Sequence, residues 1–176
     1  LPLLSISEFK KIWNINLGLK TILITIHPET IIPENNHAHA KELESSLEIL
    51  LTKYQVLVTM PNADTLGSVY RTMFHGLNVQ FNSLFLVENL GTISYMSAMK
   101  HCALMLGNTS SGIIEAASFN KYVINLGNRQ KNRICGKNII HVPFKKNVII
   151  NATKDYINTT FTENNIYQYN GGVEKI

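Results

Sequence analysis

The chain has 176 residues, 45% of them apolar and 16% charged, with sixteen Lys+Arg against twelve Asp+Glu for a formal charge of +4. That length suits one domain able to bury its own core without disulfides or metal, and the composition excludes a disordered chain. The lysines are scattered and no basic stripe carries interleaved aromatics, so nucleic acid is a poor partner and a small anionic ligand a better one.

Ser5 to Glu8 has the spacing of a capping box, and FKKIWNI continues it as a helix until Gly18. TILITI, residues 21–26, is a continuous β-branched run of the kind found in strands covered on both faces. It stops at His27-Pro28, where proline ends central pairing. Residues 31–36 read as loop, and HAHAKELESSLEILL (37–51) as an amphipathic helix. YQVLVTM (54–60) is a second strand, closed by the turn residues Pro61-Asn62-Ala63-Asp64. A helix over 67–77, a strand over 81–87, a helix over 92–100 and a strand over 102–106 follow. Then come a helix over 112–119, strands over 122–126 and 139–142, and a helix over 148–157. The tail from 164 to 176, with Gly171-Gly172, reads as loop leading into a helix cut short.

This alternation predicts an α/β fold: a doubly wound, mostly parallel sheet with helices on both faces and right-handed crossovers, in a single domain over 1–176. Ligands of such sheets bind outside the carboxyl ends of the strands. The polar residues standing there are His27, Pro61-Asn62, Glu88-Asn89, Asn108 to Ser111, and Asn125 to Arg133, and they are expected to converge on one crevice. Two cysteines, Cys102 and Cys135, make neither a disulfide framework nor a metal site. The longest uncharged run, 72–87, is broken by polar residues and does not read as a membrane span. No signal segment is visible, which points to a cytoplasmic protein. A start at Leu1, without an initiator methionine, suggests a piece of something longer.

The chemistry concentrates between Leu106 and Arg133. There a buried strand ends in a small-residue turn that opens a helix, a place where backbone N–H groups favour an anion such as phosphate. Thr109, Ser110 and Ser111 add hydroxyls, and Gly112 lets the backbone approach a ligand. An ordinary serine cap accounts for the same residues. GNTSSG is neither a Walker loop nor a dinucleotide fingerprint nor a nucleophile elbow. Glu115 could accept two hydrogen bonds from a ribose diol, or simply complement the helix dipole from the first turn. Arg129 and Arg133 offer guanidinium forks for phosphate, and His27 could donate to a phosphate oxygen. His37 and His39, two apart on a helix, make a poor metal pair. No two carboxylates present themselves as an acid–base pair, so the catalytic set is empty apart from a possible assisting His27.

GNTSSGIIEAASF (107–119), VINLGNRQKNR (123–133), ITIHPET (24–30) and MPNADTLG (60–67) occur in the order and spacing that resemble the hydrolysing UDP-N-acetylglucosamine 2-epimerases of sialic-acid synthesis. ENLGTISYMSAMKH (88–101) and NIYQYNGGVEKI (165–176) extend the resemblance over nearly the whole chain. It implies the Rossmann-like C-terminal half of a glycosyltransferase-B-type fold, which holds the nucleotide without a cofactor. Thr109, Ser110 and Ser111 would meet the diphosphate, with Gly112 beside them, and Glu115 the ribose hydroxyls. His27 and Arg129 would face the diphosphate, Asn62 would line the cleft, and uracil would lie near Leu90; Arg133 is counted with the substrate-binding residues.

The family's reaction eliminates UDP to a 2-acetamidoglucal and adds water to give N-acetylmannosamine. Its acid–base carboxylates belong to an N-terminal half that this chain lacks. The partners implied are a UDP-sugar, that missing domain and, for the whole protein, further copies of itself. A transferase of the same architecture and a nucleotide-sugar-binding module without turnover are the other two readings. Asn132 and Asn120 stand where the family has glycines, both residues that tolerate left-handed backbone, and Gln168 and Tyr169 alter the closing glycine-rich turn.

Overall fold

Six short runs rich in Val, Ile and Leu form the strands of one sheet: β1 (Thr21–Thr25), β2 (Gln55–Thr59), β3 (Leu84–Val87), β4 (Leu104–Gly107), β5 (Val123–Leu126) and β6 (Ile139–Val142). They run side by side in the order β3-β2-β1-β4-β5-β6, and every neighbouring pair is parallel. The structure is a computed structural model that describes residues 2–62 and 66–167.

Alternate residues of a strand face opposite sides of its sheet, and here both sides are apolar. Ile22, Ile24, Val56, Val58, Leu104, Leu106, Ile124 and Leu126 bury against one layer of helices, α2 (Asn35–Leu50), α3 (Ser68–Gln80) and α6 (Lys146–Tyr156). Leu23, Leu57, Met105 and Val123 face the other layer, where Phe9 of α1 (Ile6–Trp13), Met99 of α4 (Gly91–His101) and Ile113 of α5 (Ser110–Ile114) meet them. Cys102 is part of that second core, and burial pushes its thiol up to about 12, consistent with a plain packing residue.

The helix boundaries differ from expectation for local reasons. The Ser5–Glu8 capping box forms, but α1 ends at Asn14, which takes the left-handed cap (φ 56) four residues before Gly18. Asparagine tolerates that conformation better than most residues. Helix α2 begins at Asn35, inside the segment read as loop, because the buried Asn36 side chain gathers that loop. Its amide bonds the N–H of Glu29 and the carbonyls of Glu29 and Pro33 at 2.9–3.0 Å. Helix α3 runs on to Gln80 and shortens the third strand from the expected 81–87 to Leu84–Val87. The helix expected over 112–119 is two pieces, α5 and a 3-10 turn over Ala116–Phe119, ended by Asn120 at φ 60. Asn120 therefore supports a left-handed turn as its sequence suggested. Asn132 does not, since Asn14 and Asn120 are the non-glycine residues of positive φ among the described residues. The altered closing turn at Gln168 and Tyr169, the helix read beyond it, and residues 63–65 of the MPNADTLG segment lie outside the described residues.

The sheet ends on two strands of four residues. The Asn78 side chain donates to the Leu84 carbonyl of β3 at 2.7 Å, and β6 runs directly into Pro143.

Gly107 closes β4 at φ +144, and a Cβ there would lie 2.0 Å from the Thr25 carbonyl oxygen. Gly107→Ala is expected to lose more than about 3 kcal/mol, combining a backbone collision with an unfavourable φ. Gly76, inside α3, meets nothing within 4 Å, and Gly76→Ala should gain about 0.5–1 kcal/mol. Denaturant titration of both variants checks the pair, and equal midpoints would contradict the geometry.

Candidate functional site

The switch point of this sheet lies between β1 and β4. From β1 the chain winds outward through α2 and α3 on one face, then returns to β4 through α4 on the other. At such a point the loops leaving the two strands part and open a crevice. Here a buried asparagine spans them. Asn108 is 0% exposed. Its side-chain oxygen accepts the His27 N–H at 2.7 Å, and its amide nitrogen donates to the His27 carbonyl at 2.8 Å. The side chain thus continues the β1–β4 ladder one step past the Thr25–Gly107 pair. The Asn108 carbonyl accepts a further bond from the Gln130 amide at 2.8 Å, and Gln130 is itself 3% exposed. Loops that follow β1, β4 and β5 are fastened together before any ligand arrives.

Next to this clasp stands the turn that opens α5. Thr109 is its N-cap, with the hydroxyl accepting the Ser111 N–H at 3.3 Å. Helix α5 is only five residues long, so its dipole is small, and one of its leading N–H groups is already engaged. Hydroxyls and the remaining N–H groups, rather than a macrodipole, are what this turn offers an anion. Gly112 is buried with its Cα toward Val123, where a Cβ would sit 3.1 Å from a methyl group; its smallness serves packing on β5.

Glu115 is the C-cap residue of α5, not a first-turn acid, and it cannot complement the dipole from there. Its carboxylate accepts the Ser111 hydroxyl instead. From Ser111 the polar chain continues to the Tyr95 phenol, on to the Thr25 hydroxyl at 3.1 Å, and from Thr25 to the Thr59 hydroxyl at 2.7 Å. Burial, with the nearby Glu115 charge adding to it, pushes the Tyr95 phenol up, so Tyr95 stays a neutral donor and acceptor. Tyr95 escaped the sequence reading because nothing in TISYMSAMKH separates a tyrosine under the site from one in a core.

His27 is half-buried, and its imidazole pKa is lowered, first by desolvation and then by the positive charge of Arg129. The ring is neutral at neutral pH and can donate to a phosphate oxygen without carrying charge, while Arg129 supplies the charge beside it. Arg133 lies exposed on the same loop, whose turns are closed by Lys131 N–H to the Asn128 carbonyl and Arg133 N–H to the Gln130 carbonyl.

His27 is thus tied to Asn108 by hydrogen bonds and to Arg129 by charge, and Ser111 to Glu115 by a hydrogen bond. Asn62 is exposed just past β2. Leu90 is 5% exposed and packs into the core with Met99 and Ile113, which leaves backbone rather than a leucine side chain to meet a base there. Glu88 is occupied: Arg71 grips its carboxylate through two bonds of 2.9 and 2.5 Å and also donates to the Pro61 carbonyl. A cavity of about 680 Å³ opens on the α2 side of this edge, and Arg129 and Arg133 are the two expected site residues that line it. Among the described residues no cluster of His, Cys, Asp and Glu could hold a metal ion, and no helix is long and apolar enough to cross a membrane.

Comparison with known proteins follows the same line. A family model described as UDP-N-acetylglucosamine 2-epimerase matches residues 4–176. The chain is 36% identical over 135 residues to a GDP/UDP-N,N'-diacetylbacillosamine 2-epimerase (hydrolyzing) of Campylobacter jejuni, covering 76% of this chain and 35% of that protein. It is 28% identical over 150 residues to polysialic acid biosynthesis protein P7 of Escherichia coli, covering 82% of this chain and 38% of that one. The chain thus spans little more than a third of the length of these relatives. Among solved structures, the UDP-GlcNAc 2-epimerase of Neisseria meningitidis bound to UDP-GlcNAc superposes with a TM-score of 0.71 at 16% identity, over 92% of this chain and 45% of that one.

Asn108→Ala should cost about 2–5 kcal/mol, since two buried backbone groups of His27 lose their partner, and denaturant unfolding measures it. The pH dependence has a definite sign. The folded pKa values of His27 and His39 are both lowered, so the unfolded chain binds more protons in the window below the ordinary histidine value. Their stabilisation is present above that value and is lost as pH falls through the folded values. Melting curves between about pH 8 and about pH 5 should decline toward acid, with a shallower slope for His27→Asn. An equal slope would show that His27 is not desolvated in the fold.

Proposed function

We propose, for a chain that belongs to the UDP-N-acetylglucosamine 2-epimerase family, that it is the nucleotide-binding part of a hydrolysing UDP-sugar 2-epimerase of nonulosonic or sialic acid synthesis. The observation that supports this reading is the clasp of Asn108 on His27, beside which stand the Thr109–Ser111 turn, bonded to Glu115, and the Gln130 loop that bears Arg129. In this proposal the Thr109–Ser111 hydroxyls and free N–H groups hold the diphosphate, with Arg129 and Arg133 adding positive charge. Neutral His27 donates to a phosphate oxygen, Glu115 accepts the ribose hydroxyls, and Asn62 and the backbone near Leu90 line the uracil side.

The leaving group of the reaction is UDP, and these residues stabilise the charge that grows on its diphosphate as the C1–O bond breaks. Water then adds to the 2-acetamidoglucal, so that UDP-N-acetylglucosamine and water give N-acetylmannosamine and UDP. The carboxylates that move the C2 proton are assigned to a segment outside these 176 residues. The Campylobacter relative, much longer than this chain and described as hydrolyzing, supports that division. The names of the relatives leave two sugars in view, an N-acetylglucosamine carried on UDP and its 2,4-diacetamido-6-deoxy counterpart, which the Campylobacter protein's name gives on GDP or UDP.

Incubation of the full-length protein with each UDP-sugar should release UDP and the corresponding 2-epimeric free sugar. Intact nucleotide sugars would refute the proposal, and release that requires an acceptor would make the protein a transferase. Arg129→Ala should weaken UDP binding about 10- to 100-fold, the range for one charge-assisted hydrogen bond, and Glu115→Ala about tenfold. Calorimetry with UDP reads both, and wild-type affinity in both variants would remove these assignments.

A further inference from the structure

The polar chain beneath the α5 turn has a direction. Thr59 ends β2 and Thr25 ends β1, and their hydroxyl oxygens lie 2.7 Å apart. The Tyr95 phenol, from α4, meets Thr25 at 3.1 Å and Ser111 beyond it, and Ser111 meets the Glu115 carboxylate. Each of these four hydroxyls has one hydrogen, whereas a carboxylate only accepts. Ser111 therefore donates to Glu115, and its oxygen accepts the Tyr95 O–H. The Tyr95 oxygen then accepts from Thr25, and Thr25 from Thr59. The other acceptor near Thr59, the Ile24 carbonyl, is more distant at 3.3 Å. Every donor in the chain points toward Glu115.

A carboxylate is held in place only as well as its partner is. Ser111 belongs to a helix of five residues, a weak support on its own. Tyr95 is better anchored: its ring packs against the core that contains Met99 and Ile113, and its phenol is tied to the last residue of a central strand. The Ser111 oxygen, and with it Glu115, is thereby referred to the sheet. A tyrosine that merely filled the core would need no oxygen at this place. We propose that Tyr95 is a positioning residue for ribose recognition, orienting Ser111 so that Glu115 presents its carboxylate to the ribose hydroxyls, without itself touching the nucleotide. This rests on the UDP reading above and adds to it a residue of α4. Burial keeps the phenol neutral, so the hydrogen it donates is retained.

Calorimetry of UDP and 2′-deoxy-UDP on the full-length protein tests it. Wild type should prefer UDP about tenfold or more, the effect of one hydrogen bond to a charged group. Tyr95→Phe keeps the ring and removes the oxygen. It should weaken UDP more than 2′-deoxy-UDP and lower that preference about three- to tenfold, the range for one neutral hydrogen bond. An unchanged preference overturns the proposal. Equal weakening of both nucleotides also overturns it, since a packing residue would act that way. If Tyr95→Phe does not fold, Thr25→Val, which removes the donor to the phenol oxygen, decides by the same ratio. Wild-type protein that binds neither nucleotide, or Glu115→Ala that keeps the full preference, would overturn the parent reading instead, so the two failures are distinct.

Discussion

The site depends on the way one buried side chain completes a backbone. A strand that ends beside a diverging neighbour leaves an N–H and a carbonyl with nowhere to go, and burying them unpaired is costly. Asn108 answers both groups of His27 with the two halves of its amide. Aspartate could accept but not donate, and serine could not reach both. Because the Asn108 carbonyl also receives Gln130, the same residue fixes the loop that bears Arg129. The lowered pKa of His27 comes first from its burial and then from the charge of Arg129, which stands on the loop that this chain of amides fixes.

Much of the fold was legible because it follows from local rules. Continuous β-branched runs such as TILIT are what a strand covered on both faces requires, and they alternated with helical segments at spacings that leave a parallel sheet as the consistent arrangement. Asn120, replacing an expected glycine, takes the left-handed turn that its chemistry permits. The errors came where a side chain overrode a local signal. Asn14 ended α1 before Gly18 could, and Asn36 turned a proline-containing loop into the start of α2.

The site was half legible. Polar residues at strand ends could be collected from the sequence, since the sheet's topology gathers them. What could not be read was the division of labour among them, because it depends on contacts between residues far apart in the chain. Glu115 looked like a first-turn acid, and only the break between α5 and the 3-10 turn makes it a cap that faces Ser111. Tyr95 enters the polar chain only because α4 lies beneath Thr25.

The outer strands carry a consequence of another kind. An exposed strand edge is a template on which a second chain can add, and long flat edges invite aggregation. Here both edges are four residues long. One has a carbonyl already taken by Asn78, and the other meets Pro143, which has no N–H to lend. Main-chain pairing between copies is thereby discouraged at both margins. Contact with any neighbouring body is left to side chains and loop rims, where charge and shape can discriminate between partners in a way that a bare row of backbone groups cannot.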